Sequence, residues 1–143
     1  TSQMIIWDGY CHVHTKFTID DVKSARERFP NCLIAVHPES DPEVVNISDY
    51  SGSTKGLEKF VNDAPNKSAI IIGTEINFVN RIAELNSNKT ILPLARSLCP
   101  NMFKTSLGSL LDSLQKPDEH VVNIKKELIE PAKKSLSQML KIG

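Results

Sequence analysis

The sequence predicts an α/β protein: a three-layer α/β/α arrangement with a short parallel sheet, followed by a helical C-terminal tail. Three observations predict it. Short apolar runs at Cys32–Val36, Ala69–Ile72 and Thr90–Leu94 are continuous rather than alternating, as strands covered on both faces require. Amphipathic stretches lie between these runs, so strand and helix alternate in the rhythm of βαβ units with right-handed crossovers. After Cys99 that rhythm stops and only helical spacing remains.

Taken in order, Met4-Ile5-Ile6-Trp7 reads as a buried strand. Thr18 is placed to cap a helix, with Asp21 three residues on. Val22, Ala25 and Phe29 recur at helical spacing before Pro30-Asn31 stops the helix. The strand Cys32–Val36 follows. Asp41-Pro42-Glu43 opens a short helix, with Pro at the first helical position, where its missing N–H costs nothing. Asp49–Ser51 reads as a further extended piece, and Thr54 as the cap of a helix through Val61. Ala69–Ile72 is the clearest strand and Ile76–Leu85 the helix after it. Thr90–Leu94 carries a proline, which suits an edge or a strand end. In the tail, Leu107, Leu110, Leu111 and Leu114 form a helical stripe of core or interface packing, ended at Lys116-Pro117-Asp118. Glu130–Leu140 is the last helix, with Pro131 near its first turn. Val121-Val122 offers one further extended pair.

Composition narrows the function classes. The 143 residues have the size of one ordinary domain, and 40 % hydrophobic against 24 % charged residues is a globular balance. Seventeen Lys plus Arg offset seventeen Asp plus Glu, which argues against a dedicated nucleic-acid or anionic-membrane surface. No apolar run approaches the ~20 residues that span a bilayer, and Thr1-Ser2-Gln3 does not open like a signal peptide. Three cysteines, odd and sparse, do not make a disulfide framework. The expected compartment is the cytoplasm, with thiols reduced and free to bind metal.

Residues capable of chemistry fall just beyond the carboxyl ends of the strand runs, where open parallel sheets bind ligands. Cys11-His12-Val13-His14 sets a thiol and two imidazoles within one short segment, all ligands for zinc or iron. The same spacing also suits a small buried Cys beside partly exposed His residues. His37-Pro38-Glu39 sets a base and an acid on a stiff tripeptide, able to share one pocket for proton transfer; equally, the His could bond backbone and the Glu decorate a helix start. Gly52-Ser53-Thr54-Lys55-Gly56 enters a helix with hydroxyls and free N–H groups that suit phosphate or carboxylate, or is simply a capped turn. Glu75 in Gly73-Thr74-Glu75 either faces the crevice or caps its own helix. Cys32, inside an apolar run, reads as a structural residue.

Together, Trp7-Asp8-Gly9-Tyr10-Cys11-His12-Val13-His14, His37-Pro38-Glu39, Gly52-Ser53-Thr54, Gly73-Thr74-Glu75 and Cys99-Pro100-Asn101-Met102 resemble, in order and spacing, the quinolinate synthase (NadA-type) family. The likeness runs from about Gln3 to Leu140. It implies an enzyme that condenses iminoaspartate with dihydroxyacetone phosphate to quinolinate in NAD biosynthesis, with a 4Fe-4S cluster as Lewis acid. On this resemblance Cys11 and Cys99 match two of the three cluster cysteines, and Cys32 matches none. His14, His37 and Glu39 match catalytic positions, and Ser53, Thr54 and His37 substrate-binding ones. The family enzyme is about twice this length. The resemblance therefore makes 1–14 the end of the preceding domain, 15–99 the third α/β domain, and 100–143 a tail that packs on the first domain. The N-terminal half of the enzyme is the implied partner, and the isolated chain, one cluster cysteine short, is expected to be inactive. Two other readings stay open: a non-catalytic metal- or phosphate-binding α/β domain, and a zinc-dependent lyase or aldolase with its metal at Cys11 and His14.

Overall fold

A computed structural model describes Gln3 and residues 5–142, apart from the side chain of Ile142. Contacts divide the chain into two units, Thr1–Pro100 and Asn101–Gly143.

The first unit holds α1 (Ile19–Arg28), β1 (Leu33–Val36), α2 (Pro42–Ile47), β2 (Tyr50–Ser51), α3 (Thr54–Asp63), β3 (Ala69–Gly73), α4 (Ile76–Leu85) and β4 (Thr90–Pro93). The four strands form one sheet in the order β2-β1-β3-β4, with every pairing parallel. Ala35 faces Ile72 and Val36 faces Gly73 across the central pair. Alternation along the strands divides the core. Ile34, Val36 and Ile71 pack with Phe17, Val22 and Ala25 of the α1 side and Val44 of α2. Ala35, Ile70 and Ile72 pack with Leu57 and Val61 of α3 and Val79 and Ile82 of α4 on the opposite face. The result is a three-layer α/β/α unit, as the apolar runs predict.

The caps follow local chemistry. Thr18 accepts from Asp21 N while Asp21 accepts from Thr18 N, a complete capping box. Asp41 caps α2 ahead of Pro42. Helix α3 is capped by Ser53 rather than Thr54: Ser53 Oγ accepts from Gly56 N at 3.2 Å. Ser53 sits one residue earlier, in extended backbone, where its hydroxyl reaches the third helical N–H.

The N-terminal apolar run is a correction. Ile5, Ile6 and Trp7 lie in no strand and are 96, 81 and 88 % exposed; Met4 lies outside the described residues. Apolar content makes a strand only where a neighbouring strand takes its backbone groups, and among the described residues none pairs with this run.

The second unit holds α5 (Leu107–Gln115) and α6 (Lys126–Ile142), with 3-10 turns at Met102–Lys104 and Pro117–His120. Ser106 and Ser109 cap α5 reciprocally. Leu107, Leu110, Leu111 and Leu114 are exposed. Helix α6 begins at Lys126, earlier than its predicted start, so Pro131 lies inside it. One missing hydrogen bond, to the carbonyl one turn back, is what α6 gives up there. Val121 and Val122 are exposed and unpaired. Among the described residues no helix is long and apolar enough to cross a membrane.

Ile72 is fully buried between α3 and α4. Ile72→Ala is expected to lower unfolding stability by about 2–5 kcal/mol, read by urea denaturation. A loss under about 1 kcal/mol would mean that this face is loosely packed.

Candidate functional site

Strand order places the site. The chain leaves β1 toward β2 on one side and returns to β3 on the other, so the crevice of this sheet opens between the carboxyl ends of β1 and β3. His37 follows β1 and Thr74 follows β3, and His37 N donates to Gly73 O at 3.1 Å. A side chain at Gly73 would put its Cβ 2.8 Å from Val36 Cγ1, so the glycine keeps these two strand ends close.

His14 reaches this crevice from a tight turn rather than from a strand end. His14 N and Thr15 N both donate to Cys11 O at 3.1 Å, and buried Val13 and Phe17 anchor the turn on the core. The His14 ring is held at both nitrogens: Nδ1 lies 3.0 Å from Glu39 Oε2 and Nε2 lies 3.0 Å from Thr74 Oγ1. Glu39 accepts from Nδ1–H, and the Thr74 hydroxyl, able to donate or to accept, holds Nε2. His37 stacks on His14 with ring centroids 4.0 Å apart and planes 11° from parallel.

His37 itself is turned by its own tripeptide. Glu39 N donates to His37 Nδ1 at 3.3 Å, which makes Nδ1 an acceptor and puts the ring proton on Nε2. Glu39 Oε2 is 3.6 Å from the same nitrogen, beyond a good hydrogen bond. Burial is the main cause lowering the His37 pKa from its ordinary 6.5, the neighbouring His14 adds to it, and Glu39 opposes it. The unfolded chain therefore binds a proton on His37 more readily than the fold does. That contribution to stability is present above about pH 6.5 and is lost as pH falls toward the lowered folded value. The urea midpoint is expected to fall between pH 7.5 and 5.5, and His37→Gln is expected to flatten that slope. An unchanged slope in the variant would contradict the burial account.

Behind this group, Ser97 Oγ donates to Thr74 O and Ile76 N donates to Ser97 O, fastening the loop after β4 to the loop after β3. Glu75, which sequence left between crevice and cap, caps α4: its carboxylate accepts from Asn77 N and Phe78 N. Ser53 and Thr54 stand exposed at the start of α3, with Ser53 Oγ used as the cap. No hydrogen bond among the described residues ties them to the histidine pair.

The three cysteines are free thiols in different surroundings. Cys11 and Cys99 are partly exposed, while Cys32 is buried with its thiol toward Ala25 O. Burial is the main cause pushing the Cys32 thiol pKa up, so it stays protonated. Cys11 Sγ, a His14 ring nitrogen and a Glu39 oxygen lie within 4.8 Å of one another; Cys99 is outside this group. Sequence reasoning picked out Cys11, His14, His37 and Glu39 individually but missed Thr74 and Ser97 as partners. The one available signal for Thr74 was its position directly after the β3 glycine.

Comparison with known proteins agrees with the resemblance. A family model described as "NadA: Quinolinate synthetase A protein" matches residues 1–141. A protein named quinolinate synthase in Caldicellulosiruptor bescii is 40 % identical over 141 residues, covering 98 % of this chain and 46 % of its own length. Quinolinate synthases of Bacillus cytotoxicus and of Bacillus cereus (strain AH187) are each 38 % identical over 144 residues, covering 96 % of this chain and 39 % of theirs. The chain thus spans less than half the length of these curated relatives, and over that length it belongs to the quinolinate synthetase A family.

Proposed function

We propose that this chain supplies the proton-handling face and two cluster ligands of a quinolinate synthase, joining iminoaspartate and dihydroxyacetone phosphate into quinolinate with loss of phosphate and two waters. The observation that carries the reading is the His14–Glu39 pair, locked by Thr74, stacked on His37 and adjacent to Cys11 at the carboxyl edge of the sheet. The condensation needs protons removed from carbon and delivered to departing oxygens, and a positioned carboxylate–imidazole pair does both. Glu39 is half exposed and can meet substrate. His14 is buried, fixed at both nitrogens, and orients and recharges that carboxylate. His37, kept neutral, offers Nε2–H to a substrate oxygen. Ser53, Thr54 and the free N–H groups opening α3 bind the substrate phosphate or a product carboxylate.

The donor chemistry of the cysteines fits a 4Fe-4S cluster held in part by Cys11 and Cys99, since both thiols are reachable by iron and Cys32 is not. When bound, the cluster supplies Lewis-acid polarisation of substrate oxygens. In the same reading 1–14 ends a preceding domain, 15–99 is the third α/β domain, and 100–143 packs on the first domain. The enzyme works in the cytoplasm.

The test is growth. A bacterium stripped of its own quinolinate synthase, and given no pyridine source, is expected to grow when supplied with this chain joined to the remaining part of the C. bescii relative. It is not expected to grow on this chain alone. Growth on the 143-residue chain alone would overturn the division of labour, and no growth with the soluble, folded joined protein would overturn the function.

A further inference from the structure

We infer that Ser97 is a positioning residue: it ties the Cys99 loop to the Thr74 that holds His14, and so sets the cluster ligand and the proton-handling group in one register. What this does for turnover rests on the quinolinate synthase reading; the link itself does not.

Ser97 is only 1 % exposed, in the stretch after β4 that has no regular structure. A polar side chain buried so deeply is costly unless it is hydrogen-bonded. Ser97 is bonded twice, and both bonds go to the loop after β3. Its hydroxyl donates to Thr74 O, and its carbonyl accepts from Ile76 N at 2.9 Å. The two bonds straddle Glu75, whose carboxylate caps α4, so this loop is gripped by Ser97 on one side and by its own helix on the other. Among the described residues nothing else donates to Thr74 O, and residues 95–100 make no other hydrogen bond to the rest of the chain.

Each end of this clasp leads to the site. On one side Cys99 follows two residues later, and two residues of chain span at most ~7 Å. On the other, the Thr74 hydroxyl stands 3.0 Å from His14 Nε2, and His14 Nδ1 stands 3.0 Å from Glu39 Oε2. Contacts therefore run without a gap from the Cys99 loop through Ser97 and Thr74 to His14 and Glu39. Leu94, buried and bonded through its N to Ile72 O, fixes where the stretch starts, and Ser97 fixes it close to Cys99. A serine suits the place because it is small enough to be enclosed and still carries a donor. Alanine would keep the shape and the backbone bond from Ile76 but lose the grip on Thr74.

Ser97→Ala tests the link, first in the 143-residue chain, with circular dichroism to check that it is folded. The ring-nitrogen NMR signals of His14, read at one pH, are expected to shift, and those of His120, exposed in the second unit, to stay in place. Ser97→Thr, which restores the hydroxyl, is expected to return them. In the joined enzyme Ser97→Ala is expected to keep its iron and sulfide and its KM, while kcat falls about 10–100-fold, as when an outer-shell partner is lost. Ser97→Thr is expected to recover most of that loss. A residue that only supports the fold would lower stability and leave the His14 signals and the kcat of the folded enzyme alone. Unmoved His14 signals in folded Ser97→Ala, an unchanged kcat, or a folded Ser97→Thr no better than Ser97→Ala would each overturn the inference. So would loss of the cluster from folded Ser97→Ala, which would make Ser97 a support of Cys99 alone. If the unsubstituted joined enzyme, folded and loaded, makes no quinolinate, the quinolinate synthase reading fails, and the His14 signals still decide the link.

Discussion

Cys11→Ser is expected to abolish 4Fe-4S assembly in the joined enzyme, taking the visible absorption and the iron and sulfide counts to background. Cys99→Ser is expected to do the same, and Cys32→Ser to leave the cluster intact. The three thiols differ in environment rather than in chemistry. Iron takes thiolate, so a ligand must be reachable and able to shed its proton. Cys11 and Cys99 sit partly exposed on loops of the sheet's carboxyl side. Cys32 enters β1 inside the α1 face of the core, its thiol against Ala25 O and held protonated by burial. The cost of Cys32→Ser should therefore fall on stability. Loss of the cluster in Cys32→Ser at unchanged stability would reverse the assignment.

Glu39→Gln is expected to lower kcat of the joined enzyme by about 10²–10⁴-fold, the range of a positioned general acid or base, with cluster content and fold unchanged. Glutamine preserves the shape and can still accept from His14 Nδ1, so the geometry at 3.0 Å survives while the proton capacity goes. His14→Gln should fall in the same range, and the double variant should cost little more than either single one, because the two residues act as one unit. A Glu39→Gln enzyme within about threefold of the parent would remove this carboxylate from proton transfer.

Much of this arrangement was legible before any coordinates. Continuous apolar runs located β1, β3 and β4 because strands buried on both faces leave no alternation to misread. The same rule misread Ile5–Trp7, since apolar content does not say whether a neighbouring strand exists. The cap of α3 was misplaced by one residue because Ser53 and Thr54 carry the same hydroxyl, and only backbone geometry decides between them. The start of α6 was missed because Pro131 looked like an opening proline, while the helix begins about a turn earlier, at Lys126. At the site, His37 and Glu39 stood out as residue types at a strand end, and His14 as part of a thiol–imidazole run whose predicted strand did not form. The stacking of the two rings and the Thr74 contact did not. Those contacts join residues far apart in sequence, brought together by the sheet order and by the turn that carries His14.

The most direct measurement is quinolinate formation in vitro. The chain joined to the remaining part of the C. bescii relative, reconstituted anaerobically with iron and sulfide, is given iminoaspartate and dihydroxyacetone phosphate. Quinolinate and phosphate should appear in equal amounts, and Glu39→Gln should stop both while retaining the cluster. A fully loaded, folded enzyme that yields no quinolinate, or one that Glu39→Gln leaves at full rate, would contradict the account.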